Sequence, residues 1–134
     1  MEIKLLGYGD GELVTVAAHL FDGPPIREAT RHFLAMDGHH LLIAYEGDHA
    51  AGYVSGVEMT HPDKGTEMFL HELAVETTFQ RRGIGRALVE RLRALARERG
   101  CYGMWVLTDA ENAGARSVYE HSGGSSESGQ VVIE

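Results

Sequence analysis

The chain has 134 residues, of which 43% are hydrophobic, and it carries a formal net charge of -8 at pH 7. That length supports one domain over residues 1–134 with a single core, and the acidic balance argues against a nucleic-acid partner. No apolar run approaches a membrane span, residues 1–7 lack the apolar segment of a signal peptide, and the lone Cys101 cannot form an internal disulfide. The sequence therefore predicts a cytoplasmic protein with no membrane partner.

Hydrophobic spacing and turn residues predict ten elements in the order β-α-α-β-β-β-α-β-α-β. They are a strand at 2–6, helices at 10–20 and 25–36, strands at 41–45, 50–59 and 69–75, a helix at 86–99, a strand at 102–107, a short helix from Asp109 or Asn112 to Tyr119, and a strand at 130–134. Antiparallel hairpins come first, and a right-handed β-α-β unit joins 69–75 to 102–107. The predicted fold class is α/β, with a mixed sheet flanked by helices.

The loop between the strand at 69–75 and the helix at 86–99 carries the clearest chemical signal. It reads Gln80-Arg81-Arg82-Gly83-Ile84-Gly85, followed by Arg86. A helix start offers free N–H groups and a positive dipole end, glycines allow close backbone approach, and the arginines add positive charge. The loop is therefore suited to a phosphate or pyrophosphate. It is neither a Walker loop nor a dinucleotide fingerprint, because no Lys follows Gly85 and Leu88 occupies the third glycine position.

The remaining pattern, Gln/Arg-x-x-Gly-x-Gly/Ala after a strand, resembles the acetyl-CoA pyrophosphate loop of the GNAT superfamily of N-acetyltransferases. The resemblance implies the GNAT fold and acetyl transfer from acetyl-CoA to a primary amine. It assigns the phosphates to the loop residues Gln80, Arg81, Arg82, Gly83, Ile84, Gly85 and Arg86. It also implies that the pantetheine arm enters a splay between two parallel strands and bonds the backbone of Leu73, Ala74 and Val75.

Acetyl transfer to an amine requires a base, because an alkylammonium of pKa near 10.4 is only about one part in a thousand neutral at pH 7. Glu72 stands where many GNAT enzymes carry an acidic residue, which predicts it as that base; the alternative is a carboxylate that merely faces solvent. Residues 112–119 resemble the family's Asn-x-x-Ala-x-x-x-Tyr helix. The resemblance makes Tyr119 the general acid beside the cofactor sulfur and places Asn112 and Ala115 against the cofactor.

Over residues 52–127 the chain is more narrowly similar to the GNAT aminoglycoside 3-N-acetyltransferases. In those enzymes acidic residues match Glu72 and Asp109, which implies that both bind a polycationic aminosugar. Glu58 and Asp63 are expected to extend that acidic surface. Two alternatives stay open, namely another small amine or protein amine as acceptor, and a non-catalytic acetyl-CoA-binding module. A homodimer is plausible from the resemblance alone.

The eight histidines form no ligand pair at helical spacing, and one cysteine adds no metal motif. The sequence therefore predicts no metal. Strand alternation places the side chains of His71 and Glu72 on opposite faces of the sheet, so the two are not expected to act as a dyad.

Overall fold

The computed structural model describes all residues, 1–134, and contains five strands and four α-helices. In chain order these are β1 (Glu2–Leu5), α1 (Gly11–Val16), α2 (Arg27–Ala35), β2 (His39–Glu46), β3 (His49–His61), β4 (Gly65–Val75), α3 (Ile84–Glu98), β5 (Met104–Val106) and α4 (Ala113–His121). Short 3-10 turns occupy Ala18–Leu20 and Thr77–Phe79. None of the helices has the length and apolarity that crossing a membrane requires.

The strands form one sheet in the order β1-β2-β3-β4-β5. The first four are antiparallel neighbours, and β5 pairs with β4 in parallel. The parallel pair is joined through α3, the expected β-α-β crossover. The mixed sheet with helices on both faces confirms the predicted fold class.

Strand alternation divides the core between the two faces of the sheet. On one face, buried residues of the sheet pack against the apolar side of α3, whose buried residues are Ile84, Leu88, Val89, Leu92 and Ala96. On the other face, Leu41, Ile43 and Tyr53 pack with Val14 of α1 and with Leu20. Alternate residues of β2 thus pack into opposite layers: Leu41 and Ile43 into this one, and the residues next to them into the layer against α3.

A glycine in β3 sets how closely α3 approaches the sheet. A Cβ atom at Gly56 would lie 2.8 Å from Cδ1 of Leu92 and 2.9 Å from Sδ of Met68. Both of these neighbours are completely buried. A side chain at Gly56 would therefore push α3 away from β3 and β4, the strand that leads into the phosphate loop.

The last predicted strand is wrong, because residues 130–134 pair with no strand. Val131, Val132 and Ile133 are 79%, 74% and 89% exposed, and β5 forms the edge of the sheet. The predicted helix at 10–20 is split at Ala17 into α1 and a 3-10 turn. The strand predicted at 69–75 begins earlier, at Gly65, because residues 65–68 continue the ladder with β3.

Candidate active site

The parallel strands β4 and β5 pair over only three residues. The ladder ends at Leu70 opposite Val106, whereas β4 continues to Val75. From His71 to Val75, the side of β4 that faces away from β3 therefore has no partner strand, and its backbone groups are available to another molecule. This gap is the splay that the resemblance implied and that the sequence could not show.

A cleft of about 270 Å³ opens where the two strands part. One wall comes from β4, a second from the chain after β5 and from α4, and a third from the segment after α1. The apolar lining residues include Leu20, Leu73, Ala74, Val106, Leu107 and Ala115, and the polar ones are Asp22, Tyr53, His71, Glu72, Thr108, Asn112 and Tyr119. Of the predicted site residues, the cleft thus brings together Glu72, Leu73, Ala74, Asn112, Ala115 and Tyr119.

A β-bulge in β4 corrects the expected orientation of His71. Ser55 pairs with Glu72, but the next residue, Gly56, pairs with Leu70, so His71 is an extra residue in the ladder. Such a bulge interrupts the alternation of side chains. As a result, His71 and Glu72 both line the cleft instead of facing opposite sides of the sheet. Sequence alternation alone could not reveal the inserted residue.

Two further cleft residues, Tyr53 and Asp22, were missed from the sequence. Tyr53 pairs with Ala74 in the sheet, which sets it diagonally across from Glu72 on the same face. Burial raises the pKa of the Tyr53 hydroxyl, and the charges of Glu72 and Asp22 raise it further. Tyr53 therefore stays a hydroxyl donor beside the Glu72 carboxylate. No local pattern marks Asp22, which follows the 3-10 turn in a helix-breaking segment.

Tyr119 is half-buried on α4 and faces the same cleft. Burial raises its pKa, so the hydroxyl stays protonated in neutral and mildly alkaline solution. The helix that carries it is fixed at its start by Asn112, whose side-chain oxygen accepts a hydrogen bond from the N–H of Ala115 at 3.0 Å. The Asn112 side chain thus orients the helix as well as lining the cleft.

The phosphate loop presents an uninterrupted series of free backbone donors. None of the N–H groups from Arg81 to Arg86 donates to a backbone carbonyl. Gly83 has a left-handed φ of 82° at the start of α3, and Arg81 has a φ of 64°. The positive φ, and not a lack of space, favours glycine at position 83, since a Cβ there would have no neighbouring atom within 4 Å. Free amides at the start of a 15-residue helix favour an anion.

The side chains of the loop differ in their partners. Gln80 donates from Nε2 to the carbonyl of Val75 at 3.1 Å and so ties the loop to the end of β4. Arg86 pairs with Glu90 at 3.1 Å, and the guanidinium of Arg82 lies 5.2 Å from the ring centre of Phe79. Arg81 makes no ion pair or side-chain hydrogen bond. Its charge is the one most available to a ligand.

The expected acidic surface is smaller than the sequence predicted. Asp109 is exposed and does not line the cleft. Glu58 is 12% exposed and bonds Nε of Arg99 at 2.7 Å and Nε2 of His40 at 2.5 Å. It holds a structural ion-pair network and cannot extend an acceptor surface. Asp63 pairs with Lys64 at 3.0 Å. The acidic groups of the cleft are Glu72 and Asp22.

These features fit an acyl-CoA molecule segment by segment. The free amides at the start of α3 suit its pyrophosphate, and the unpaired side of β4 suits the amide groups of its pantetheine arm. Tyr119 lines the same cleft. Val75 helps shape the loop end, since its Cγ2 would lie 3.7 Å from a Cβ at Gly85.

Two kinds of curated relatives match part of the chain. It is 37% identical over 82 residues to mycothiol acetyltransferase of Beutenbergia cavernae, a match that covers 61% of this chain and 27% of the relative. It is 42% identical over 57 residues to the [ribosomal protein bS18]-alanine N-acetyltransferase of Salmonella typhimurium, covering 42% of this chain and 38% of the relative. The match therefore spans about a quarter to two fifths of the length of these relatives.

Solved structures are similar over nearly the whole chain. An aminoglycoside acetyltransferase, meta-AAC0020, from an uncultured soil metagenomic sample in complex with sisomicin superposes with a TM-score of 0.88 at 19% identity, covering 99% of this chain and 93% of that one. Aminoglycoside N-acetyltransferase AAC(6')-Iy in complex with CoA gives a TM-score of 0.80 at 21% identity, covering 99% and 92%. At these identities the likeness concerns the fold.

The sequence profile of the acetyltransferase (GNAT) family matches residues 13–124, which include the phosphate loop, the bulged strand β4 and α4. The fold and the cleft agree with that match. The chain belongs to the acetyltransferase (GNAT) family.

Proposed function

We propose that the chain is an acetyl-CoA-dependent N-acetyltransferase that acts on a primary amine of an aminoglycoside. The observation that carries the proposal is the meeting of Glu72, Tyr119 and the unpaired side of β4 in one cleft, beside the strand that leads into the phosphate loop. In this proposal acetyl-CoA supplies an activated acetyl thioester as the donor. The family membership supports the reaction class.

Glu72 is proposed to make the acceptor amine nucleophilic. Deprotonating a lysine-like ammonium at pH 7 costs on the order of 4 kcal/mol, and a carboxylate beside the amine lowers that cost by accepting the proton directly or through one water. The side chain of Tyr53 is close enough to Glu72 for the carboxylate to raise the pKa of the Tyr53 hydroxyl. His71 lines the same cleft and is the second candidate for this role.

Other groups that line the cleft are proposed to act on the acetyl donor. The backbone N–H groups on the free side of β4 are proposed to donate to the acetyl carbonyl oxygen as negative charge builds on it. Tyr119 is proposed to donate its proton to the departing CoA sulfur. Its raised pKa suits this role, because a phenol that ionised near neutral pH would have no proton to give.

The charge and size of the cleft support a polycationic acceptor of which only one part enters. Its charged lining groups are the carboxylates of Asp22 and Glu72, and it contains no Lys or Arg. Its volume of about 270 Å³ lies just below the usual range for a ligand site. The proposal therefore places one amino sugar ring in the cleft and the remaining rings outside it. We also propose 3-N regiochemistry, in which Asp109, exposed and outside the cleft, binds the part of the acceptor that stays outside.

A protein α-amine is the second candidate acceptor. The ribosomal-protein-alanine N-acetyltransferase of Salmonella typhimurium is 42% identical over 57 residues of this chain. A peptide amino terminus is a primary amine small enough for the same cleft. The −8 net charge favours a strongly cationic acceptor over such a peptide, because it concentrates cations near the surface.

The test is a CoA-thiol release assay with acetyl-CoA and a panel of amines. The panel contains sisomicin, a second aminoglycoside, spermidine and a peptide beginning with alanine. The expected result is release with the aminoglycosides that exceeds release with the other amines by at least roughly tenfold in kcat/KM. NMR of the product then identifies the acetylated nitrogen, which tests the 3-N proposal separately.

The Glu72→Gln variant provides the matched control for background hydrolysis. Preferred release with the alanine peptide would replace the aminoglycoside by the second candidate. Tight acetyl-CoA binding without release for any amine would favour a non-catalytic binding module, and no acetyl-CoA binding would overturn the proposal as a whole.

A further inference from the structure

Three side chains that are far apart in the sequence meet outside the cleft. They are His19 in the 3-10 turn after α1, His49 at the start of β3, and Glu76 immediately after β4. Each offers one ligand atom, and these atoms lie within 4.8 Å of one another. The geometry points to a binding site for a divalent transition-metal cation such as Zn²⁺, formed by His19, His49 and Glu76.

The donor set has the chemistry that such a cation selects. Two imidazoles and one carboxylate are borderline ligands that suit Zn²⁺ and its neighbours rather than Ca²⁺ or Mg²⁺. Three protein ligands leave a fourth tetrahedral position for water. The exposed fractions of the His49 and Glu76 side chains, 48% and 32%, leave room for that water and an open path for the ion.

The spacing of the two rings matches a shared cation. A Zn–N distance of about 2.0–2.1 Å and a tetrahedral angle place two bound imidazole centres about 5 Å apart. The ring centres of His19 and His49 are 5.0 Å apart. The two rings are stacked with their planes at 25°, so both exposed imidazoles must turn to aim a ring nitrogen at one cation and to bring the donor atoms from within 4.8 Å to about 3.3 Å.

A backbone contact prepares His19 for this role. Its Nε2 lies 2.8 Å from the carbonyl oxygen of Ala50. A carbonyl only accepts, so Nε2 carries the proton and Nδ1 of the neutral ring is left with a free lone pair. Ligating histidines typically donate their other ring N–H to such a carbonyl or carboxylate, which fixes the tautomer and the ring orientation.

The other two ligands are also held in place. The imidazole of His49 packs against two other rings. Its centre lies 5.0 Å from the ring centre of His19 and 5.5 Å from that of Phe79. Its Nε2 is 2.5 Å from a carboxylate oxygen of Glu76, and the backbone N–H of Glu76 donates to Ala51 at 2.8 Å. The two residues already form a pair into which a cation can insert by displacing the shared proton.

The site would connect three segments that already touch through the contacts of His19 with Ala50 and of His49 with Glu76. Glu76 stands between β4 and the phosphate loop, His49 closes the β2–β3 hairpin, and His19 belongs to the α1 side of the fold. A bound cation would therefore link the 3-10 turn that carries His19 to β4, the strand that leads into the phosphate loop. We expect metal binding to raise the thermal stability of the whole domain.

The test is calorimetric titration of ZnCl₂ into the metal-stripped full chain, with thermal unfolding as a second readout. We expect one Zn²⁺ per chain with a Kd of about 10 µM or tighter. At a hundredfold excess over Kd the melting temperature should rise by roughly 5–10 °C. His19→Asn, His49→Gln and Glu76→Gln should each weaken binding at least tenfold.

Matched substitutions elsewhere serve as controls. His32→Gln and Glu98→Gln change exposed residues outside the cluster and should leave the Zn²⁺ affinity unchanged. Cys101→Ser should also leave it unchanged, which excludes the free thiol as the ligand. A wild-type Kd weaker than about 100 µM, or an affinity that His49→Gln and Glu76→Gln leave within roughly threefold, would overturn the proposal.

Discussion

His71 and Glu72 are consecutive residues of β4, yet both side chains line the same cleft because a β-bulge inserts His71 into the ladder with β3. The bulge therefore places two proton acceptors side by side at the point where β4 loses its β5 partner. Because the two side chains are adjacent, substituting each in turn can identify which of them acts as the base.

The first prediction separates the two candidates for the base. Glu72→Gln should lower kcat by about two to three orders of magnitude, because it removes the carboxylate that accepts the ammonium proton. His71→Gln should lower kcat by less than about tenfold. Acetyl-CoA affinity, measured by calorimetry, should be unchanged in both variants. A larger loss in His71→Gln than in Glu72→Gln would transfer the role to His71.

The second prediction concerns the proton that leaves with CoA. Tyr119→Phe should lower kcat about a hundredfold, because the variant lacks the hydroxyl that protonates the sulfur. Burial raises the pKa of Tyr119 above its usual value of 10. The hydroxyl is protonated below that raised pKa, so the wild-type rate should show no loss from this group up to about pH 10.

Tyr8→Phe, a change at an exposed tyrosine, is the control for the second prediction. It should leave the pH–rate profile unchanged. A Tyr119→Phe enzyme that turns over at the wild-type rate from pH 6 to pH 9 would remove Tyr119 as the general acid.

The sequence predicted the fold where the signals are local. Both the phosphate loop and α3 were predicted because apolar spacing, glycines and arginines lie within one short stretch, and the structure starts α3 at Ile84 rather than Arg86. By contrast, the strand at 130–134 was predicted from apolar residues alone. A strand also needs a partner edge, and the exposed Val131 and Ile133 have none.

The site was predicted only in part for the same reason. Glu72 and Tyr119 stand in recognisable patterns, whereas Asp22 and Tyr53 reach the cleft from distant segments that carry no pattern of their own. The pairing of Glu58 with Arg99 spans 41 residues, and the meeting of His19, His49 and Glu76 depends on three separate turns. Contacts between side chains this far apart in the sequence depend on tertiary packing, which local spacing does not encode.

The third prediction tests the phosphate loop without disturbing its backbone. Arg81 has a positive φ of 64°, so Arg81→Gly removes the charge while keeping a conformation that glycine adopts readily. The Kd for acetyl-CoA should rise about tenfold, or ~1.4 kcal/mol, because the variant loses the charge that is proposed to contact the phosphates. Calorimetric titration with acetyl-CoA measures the change.

Arg91→Ala, at an exposed position of α3 outside the loop, is the matched control and should leave the acetyl-CoA affinity unchanged. Raising the salt concentration should weaken wild-type binding more than it weakens binding by Arg81→Gly, because screening acts on the charge that the variant lacks. Equal affinities of wild type and Arg81→Gly at low salt would contradict a contact between Arg81 and the phosphates.

The fourth prediction concerns stability and its dependence on pH. Burial alone would raise the pKa of Glu58, but hydrogen bonds from Arg99 and His40 outweigh it and hold the pKa below the usual 4.5. A carboxyl with a lowered folded-state pKa contributes stability that is present above the unfolded-state value and is lost as the pH falls through the folded-state value. Its contribution is therefore present at pH 7 and declines as the pH falls through that lowered folded-state pKa.

Glu58→Gln should accordingly lower the free energy of unfolding by about 2 kcal/mol at pH 7, because Arg99 and His40 lose their charged acceptor. Urea unfolding of wild type and variant should show a smaller difference at pH 3 than at pH 7, because the wild-type carboxyl loses its charge as the pH falls toward and through its lowered pKa. Glu98→Gln, on the exposed side of α3, should show no difference at either pH. A Glu58→Gln deficit of the same size at both pH values would mean that packing, and not the charge on Glu58, stabilises this junction of β3 and α3.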